Sequence, residues 1–219
     1  MSEAQQPGAD GAERPSLGPA QALQLFAVAR ARSWRGGRVS RVRDEDLMRV
    51  RYRDLEALVR GVPWEVPPLD DARVLAHQRV VESAMRRGSV LPLPYGVIFR
   101  GRRQLIRLLQ DQYLVIDEAL SLLEGHWELR LHIAPASAED NELLADVALA
   151  CYAELRRQAR AAVPLPREGR RLLTAAFLVE RATWVEFVER ADDLGTTHPE
   201  LVFDVTGPWP AYDFVRVSV

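Results

Sequence analysis

The sequence is most informative first in what it lacks. It has no lysine; all 29 basic residues are arginine. That absence rules out Schiff-base chemistry and a phosphate-loop lysine, both of which need an amine. An arginine-biased genome accounts for it as simply as selection for two-pronged contacts does. There is a single cysteine, Cys151, so an intrachain disulfide and a cysteine zinc site are both excluded. In "LLADVALACYAEL", Leu144, Ala148, Cys151 and Leu155 follow helical spacing, so Cys151 reads as a small buried apolar residue rather than a nucleophile. No apolar run approaches the ~20 residues of a membrane-crossing helix.

Histidine is scarce as well. His77, His126, His132 and His198 are the only four, and His126 and His132 lie six residues apart on one strand, ~20 Å at 3.3 Å per residue, too far to share a metal. His77 falls on the apolar face of a helix and reads as a hydrogen-bonded core residue. None of G-x-G-x-x-G, a phosphate loop, G-x-S-x-G or H-E-x-x-H occurs. Acidic pairs such as Glu139 with Asp140 and Asp192 with Asp193 sit at helix ends, where solvated acids are ordinary. No metal ligand set, cofactor site or catalytic group is expected, and the chain is read as not an enzyme.

What is present is an ordinary apolar core fraction, 47%, in 219 residues, enough for one large or two small domains. The net charge of −2 argues against a general binder of nucleic acid or membrane surfaces. Residues 1–20, rich in Gly, Pro, Ala and acids, read as a disordered tail and not as a signal peptide, which implies a cytoplasmic protein.

Periodicity then divides the chain. Ala22–Arg30 reads as a strand, "RVSRV" as a second, and Met48, Val50 and Tyr52 alternate with Arg49, Arg51 and Arg53 as a half-buried strand. A short helix is expected over Asp54–Arg60. The next helix opens at Asp70 and Asp71 and closes at Arg86, Arg87 and a capping Gly88, with Val74, His77, Val81, Ala84 and Met85 on one face. In "SVLPLPYGVIF", Pro92 and Pro94 remove two amides from the same side, marking a sheet edge or a distorted strand. A long helix over Arg102–Glu124 follows, then a strand "HWELRLHI" with Glu128, Arg130 and His132 on its wet side. Beyond it come a helix from Asp140 to Ala162, a strand "RLLTAAFLV" apolar enough to be covered on both faces, a helix capped by Gly195, and a strand "ELVFDV". The fold class is therefore α+β in two domains: 21–135, a sandwich with helices on one sheet face, and a smaller unit over 136–219.

The remaining features are a basic region and an aromatic motif. Nine arginines from Arg30 to Arg53, with Trp34 and Tyr52 among them, could form a nucleic-acid surface or the solvated face of a sheet. Near the C-terminus, "VTGPWPAYDFV" sets Gly207, Pro208, Trp209, Pro210, Tyr212 and Phe214 within eight residues. The prolines and glycine are expected to end the preceding strand and to hold Trp209 on a stiff, extended backbone, with Tyr212 and Phe214 on one side. Such a cluster either closes the fold or presents a hydrophobic docking surface.

This stretch resembles the T-G-P-W-P-P-Y-x-F ending of the gas vesicle F/L family of accessory proteins, with Ala211 in place of the second proline. "LTAAFLVERATWVEFVERADDL" and "AHQRVVESAMRRGSVLPLPYGVIF" resemble other parts of the same family, so that the likeness spans most of residues 71–215. The first strand, "LQLFAVARAR", lacks the tyrosine- and glycine-rich opening common there. The resemblance implies a ferredoxin-like N-terminal domain and a smaller α+β C-terminal one. It also implies a non-enzymatic cytoplasmic protein, associated with gas vesicles, that binds the small hydrophobic shell protein and other accessory proteins during vesicle nucleation. The competing readings are a nucleic-acid-binding module on Arg30–Arg53 and an enzyme with a pocket between the domains.

Overall fold

A computed structural model describes residues 22–34, 46–137 and 142–215. Two antiparallel sheets and five α-helices make up these residues. The expected strand at "RVSRV" and the tail over 1–20 lie outside them.

The first sheet is built around β1 (Ala22–Arg30), whose near-continuous apolar sequence fits a strand buried on both faces. β2 (Leu47–Tyr52) and β3 (Leu55–Val62) form a hairpin beside it. The helix expected over Asp54–Arg60 is instead strand β3. A two-residue turn at Arg53 and Asp54, with Arg53 at φ 52°, reverses the chain so tightly that "LEALVRGV" is laid back along β2. Its Leu55, Ala57, Leu58 and Val59 are all buried. Helix α1 (Asp71–Met85) is capped by the Asp70 carboxylate, which accepts from the Arg73 amide at 2.9 Å. Gly88 does not act as a left-handed cap; Arg86 closes the helix with ordinary helical torsions.

The two prolines do mark a broken sheet edge. β4 (Leu91–Pro92) pairs with Val28 and Ala27, and β5 (Ile98–Phe99) pairs with Gln24 and Leu23. Between them Pro94, Tyr95 and Gly96 leave the ladder, Gly96 at φ +93°. The long helix expected over Arg102–Glu124 is divided at Gln112 into α2 (Arg102–Asp111) and α3 (Tyr113–Leu123), and Gly125 at φ +75° ends it. α1 lies over one face of the sheet, on Phe26, Ala29 and Leu58; α2 and α3 lie over the other, on Leu25, Val28, Val50 and Val59.

The second sheet follows the order β6 (His126–Pro135), α4 (Glu142–Arg156), β7 (Ala161–Pro164), β8 (Leu173–Glu180), α5 (Trp184–Thr197), β9 (Leu201–Trp209), with its strands arranged β7-β8-β6-β9. That βαββαβ path, all neighbours antiparallel, is the split-βαβ arrangement of ferredoxin-like folds. It belongs to the C-terminal half, whereas the family resemblance implies it for the N-terminal half. The first sheet joins β1 to β2 without an intervening α-helix among the described residues and so does not share it. β6, placed by the sequence with residues 21–135, pairs instead with β8 and β9. The helix expected over 140–162 stops at Arg156, because Ala161–Pro164 is drawn into the sheet beside β8. Gly195 is not a cap: α5 continues to Thr197. Helices α4 and α5 cover one face only, packing on Leu129, Leu131, Ile133, Phe177 and Val179. Among the described residues no helix is long and apolar enough to cross a membrane.

Candidate functional site

The C-terminal motif does not end β9. The strand runs through it to Trp209, held to β6 by pairing of Thr206 with Arg130 and of Trp209 with Glu128. The register shifts between those pairs, so Gly207 and Pro208 form a bulge opposite Leu129. A bulge suits Pro208, which has no amide to give the ladder. It also explains Gly207: at φ +128°, a Cβ there would stand 3.0 Å from both the Glu128 carbonyl oxygen and Leu129 Cδ2. The Gly207–Pro208 peptide is cis. Trp209 Nε1 donates to Thr206 Oγ1 at 3.2 Å, which fixes the indole against its own strand.

Beyond β9 the chain turns and crosses between the sheets. Pro210 and Ala211 are buried, and Ala211 joins the apolar cluster beneath α2 and α3. The Tyr212 amide donates to the Pro210 carbonyl at 2.7 Å, closing a turn. The turn sends Tyr212 and Phe214 to different clusters, not to one side as an extended chain would. Tyr212 packs under α1 with Phe26, Val80 and Trp127; Phe214 and Val215 pack with the α2–α3 cluster. Burial holds the Tyr212 phenol protonated, its pKa far above the ordinary value. Gly207 is exposed, Pro208, Trp209, Tyr212 and Phe214 are half-buried, and Pro210 and Ala211 are buried.

A charge network pins this segment. Glu128, expected on a wet face, is fully buried. Its Oε1 accepts from Arg130 Nε at 2.8 Å and its Oε2 from the Asp213 amide at 3.1 Å, while Arg130 Nη2 reaches Asp213 Oδ2 at 2.9 Å. Burial raises the Glu128 carboxyl to about 7; the Asp213 carboxylate adds to the rise, and the Asp213 amide and Arg130 oppose it. Alternation along β6 put Glu128 and Arg130 outward correctly. What it could not reveal is that residues 210–215 return to cover that face. Asp213, inside the aromatic motif, was the available signal.

The other sequence candidates are accounted for in the packing. His77 is buried; its Nε2–H donates to the Leu93 carbonyl at 2.8 Å, Gln24 Nε2 donates to its Nδ1 at 3.3 Å, and its ring stacks on Phe26 at 4.8 Å. Burial lowers its pKa. It ties α1 to β1 and to the irregular edge. Cys151 is buried in the second core, and burial pushes its thiol up, away from nucleophilic use. Among the described residues, no three or more His, Cys, Asp or Glu side chains are placed to hold a metal ion. A pocket lined by Met85, Val90, Leu123, Trp127, Arg181 and Trp209 does lie between the sheets, but its volume is about 90 Å³. That is below the ~300 Å³ at which small-molecule sites begin.

The basic region is divided. Arg35 to Arg43 lie outside the described residues. Arg30 is turned inward, with its Nη2 donating to Asp117 Oδ1 at 2.6 Å and to Ser121 Oγ at 2.7 Å. Arg49 pairs with Glu56 at 3.6 Å, and the Arg53 guanidinium lies over the rings of Tyr52 and Tyr113. These side chains hold the first sheet to α3 or brace its hairpin; Arg32, Arg51 and Arg53 are the exposed members among the described ones.

The architecture and the motif coincide with one known group. A family model described as gas vesicle synthesis protein GvpL/GvpF matches residues 22–148 and 136–216. The chain belongs to the GvpL/GvpF family. Gas vesicle protein F2 of Halobacterium salinarum is 27% identical over 177 residues, spanning 78% of this chain and 80% of the relative. Gas vesicle protein L of a Streptomyces species is 27% identical over 216 residues, spanning 80% and 76%. The crystal structure of GvpF from an Anabaena species superposes with a TM-score of 0.74 at 17% identity, covering 90% of this chain and 97% of that one. At that identity the structural likeness establishes the shared fold. In this chain Ala211 and Phe214 pack with one apolar cluster and Tyr212 with another.

Proposed function

We propose that this chain is a non-enzymatic accessory protein of gas vesicle assembly, acting in the cytoplasm at the forming vesicle. In this reading it binds the small hydrophobic shell protein and other accessory proteins during nucleation. The observation that carries the reading is the family match across residues 22–216. Its non-enzymatic character is supported by the engagement of His77 and Cys151 in the two cores. An apolar partner is supported by a loop, residues 63–70, that leaves Val66 90% and Leu69 86% exposed. Exposed side chains of that kind on one loop suit contact with an apolar protein surface. The motif contributes through Gly207, Pro208 and Trp209 at the end of β9, while Pro210, Tyr212 and Phe214 pack into the fold. We also read the two sheets as two domains, with their seam at Gly125; its support is that β6 pairs only within the second sheet.

The test is capture of the shell protein by the immobilised full chain. Wild type is expected to retain it, and a Val66→Ser/Leu69→Ser variant with unchanged circular dichroism is expected to lose most of that retention. Folded wild type that captures no shell protein would overturn the proposal. Capture that the double variant leaves intact but folded Trp209→Ala abolishes would move the contact to the motif.

A further inference from the structure

Two regions of the surface carry charge patterns of opposite sign. On α2 and the residue pair before it, Arg100, Arg103 and Arg107 line an open groove of about 550 Å³ together with Trp64 and Gln104. The Arg100 guanidinium stacks on the Trp64 ring at 4.8 Å, and all three arginines are exposed. No carboxylate among the described residues pairs with any of them, unlike Arg30, Arg130 and Arg190. Their position is also unfavourable for α2. Its first turn has no acidic residue and its N-cap, Gly101, offers no side-chain acceptor, so arginines crowd the positive end of a helix dipole. Arg102 adds a fourth positive charge there. Local helix stability does not account for that arrangement.

On α5 the sign is reversed. Glu186, Glu189 and Asp193 line a groove of about 380 Å³, and all three are exposed, as is neighbouring Asp192. Glu186, Glu189 and Asp193 span ~10 Å of α5 at 1.5 Å per residue, and Arg103 and Arg107 stand ~6 Å apart along α2, with Arg100 just before that helix. The cation within the acidic stripe, Arg190, is committed to Glu154, its Nε donating at 2.8 Å, and stands 3.8 Å from Asp193. The stripe therefore keeps an excess of negative charge.

We infer that the arginine groove of α2 takes the acidic stripe of α5 from a second copy of this chain. The contact joins two different surfaces, so it either closes as a two-fold pair making it twice or extends head to tail. Arginine forks on carboxylates supply direction, and Trp64 supplies a flat apolar floor. An extended polyanion fits less well: the patch is short, and the chain's net charge is −2. The inference does not depend on any gas vesicle partner.

Sedimentation velocity of the full chain tests it. Wild type is expected to self-associate in low salt with a dissociation constant on the order of 0.1 mM or tighter, and to dissociate in ~0.5 M salt, where exposed pairs are screened. Arg103→Glu/Arg107→Glu and Glu186→Arg/Glu189→Arg should each weaken association at least ~10-fold, since each places like charges in contact. Mixing the two variants should restore it, because the reversed α2 of one then meets the reversed α5 of the other. Merely misfolded variants would show no such rescue. A wild type that stays monomeric in low salt overturns the inference, as does association indifferent to salt or to both reversals. So would tight binding of a polyglutamate peptide or a single-stranded oligonucleotide to a strictly monomeric wild type, which would assign the groove to another acidic partner.

Discussion

The two sheets solve the same burial problem differently. The first is covered by helices on both faces, α1 on one side and α2 with α3 on the other, and its strands supply apolar side chains to each. The second has helices on one face only. Its other face carries Glu128, Arg130, His132 and Thr174, and part of it is covered by a segment of six residues, 210–215, that follows β9. A helix would need a longer chain and a broad apolar stripe. A turn with one buried proline, two aromatics and an aspartate covers a polar strand face in far fewer residues, because Asp213 can answer the charges that an apolar helix would strand. The motif is explained as a cover for a sheet face that has no second helix layer.

The strongest way to break this comparison is to empty each cover in turn. Phe177 is fully buried on the helix-covered face and packs on Tyr152 and Phe187 at ring distances of 5.6 and 5.0 Å. Phe177→Ala is expected to cost ~3–5 kcal/mol, as for other fully buried phenylalanines. Phe214 is only half-buried, so Phe214→Ala is expected to cost less, ~1–3 kcal/mol. Urea unfolding of both variants checks the pair. If the segment merely drapes over the surface, Phe214→Ala will fall within ~0.5 kcal/mol of wild type, and the view of the motif as a structural cover fails.

A sharper contrast lies in pH. Each half buries a group that titrates between about pH 4 and 8, His77 in one and Glu128 in the other, and the two act in opposite directions. Glu128 has its pKa raised to about 7 in the fold. The folded state therefore holds a proton that the unfolded chain gives up, and this group's contribution is complete below about 4.5 and is lost as pH rises towards 7. His77 has its pKa lowered by burial. The unfolded chain then binds the proton more readily, so stability falls as pH drops below the ordinary histidine value of 6.5. His132, also lowered through burial and Arg171, adds to the acid side. Glu128→Gln, which keeps the size and removes the charge, should abolish the loss between about 4.5 and 7 and leave the acid-side loss in place. His77→Gln should reduce the acid-side loss to the share His132 carries and leave the loss between about 4.5 and 7 in place. Urea midpoints measured from pH 4.5 to 8 read both slopes; a Glu128→Gln profile parallel to wild type would remove the buried-carboxylate account.

These differences also explain what the sequence could disclose. Apolar runs buried on two faces were plain in it: β1 stands where "ALQLFAVAR" places it, and β8 (Leu173–Glu180) lies within two residues of "RLLTAAFLV". Alternation correctly gave both faces of β6. Missed were the features set by a distant partner. Leu55–Val62 has helix-compatible composition, and only pairing with β1 and β2 makes it a strand. Likewise, Glu128 on the outer face of β6 is buried because residues more than eighty positions later return to it. The aromatic motif was visible as a unit, but its bulge and its divided aromatics depend on the strand it meets.

The smallest expected effect concerns the helix layer that the second sheet does have. Gly195 resembles a terminal cap in the sequence, yet it sits inside α5 with ordinary helical torsions, facing β9. A Cβ built there would meet Phe203 Cδ2 at 3.5 Å, an ordinary contact distance, and nothing closer. Glycine in a helix interior costs roughly 0.5–1 kcal/mol relative to alanine, through the freedom it regains on unfolding. Gly195→Ala should therefore stabilise the protein by about that amount, read as a small rise in the urea midpoint at unchanged slope. A left-handed cap would give the opposite sign, because alanine is strained at positive φ. The sign alone thus decides whether α5 runs unbroken over β9, and so whether the second sheet's one helix layer spans the strand that carries the motif.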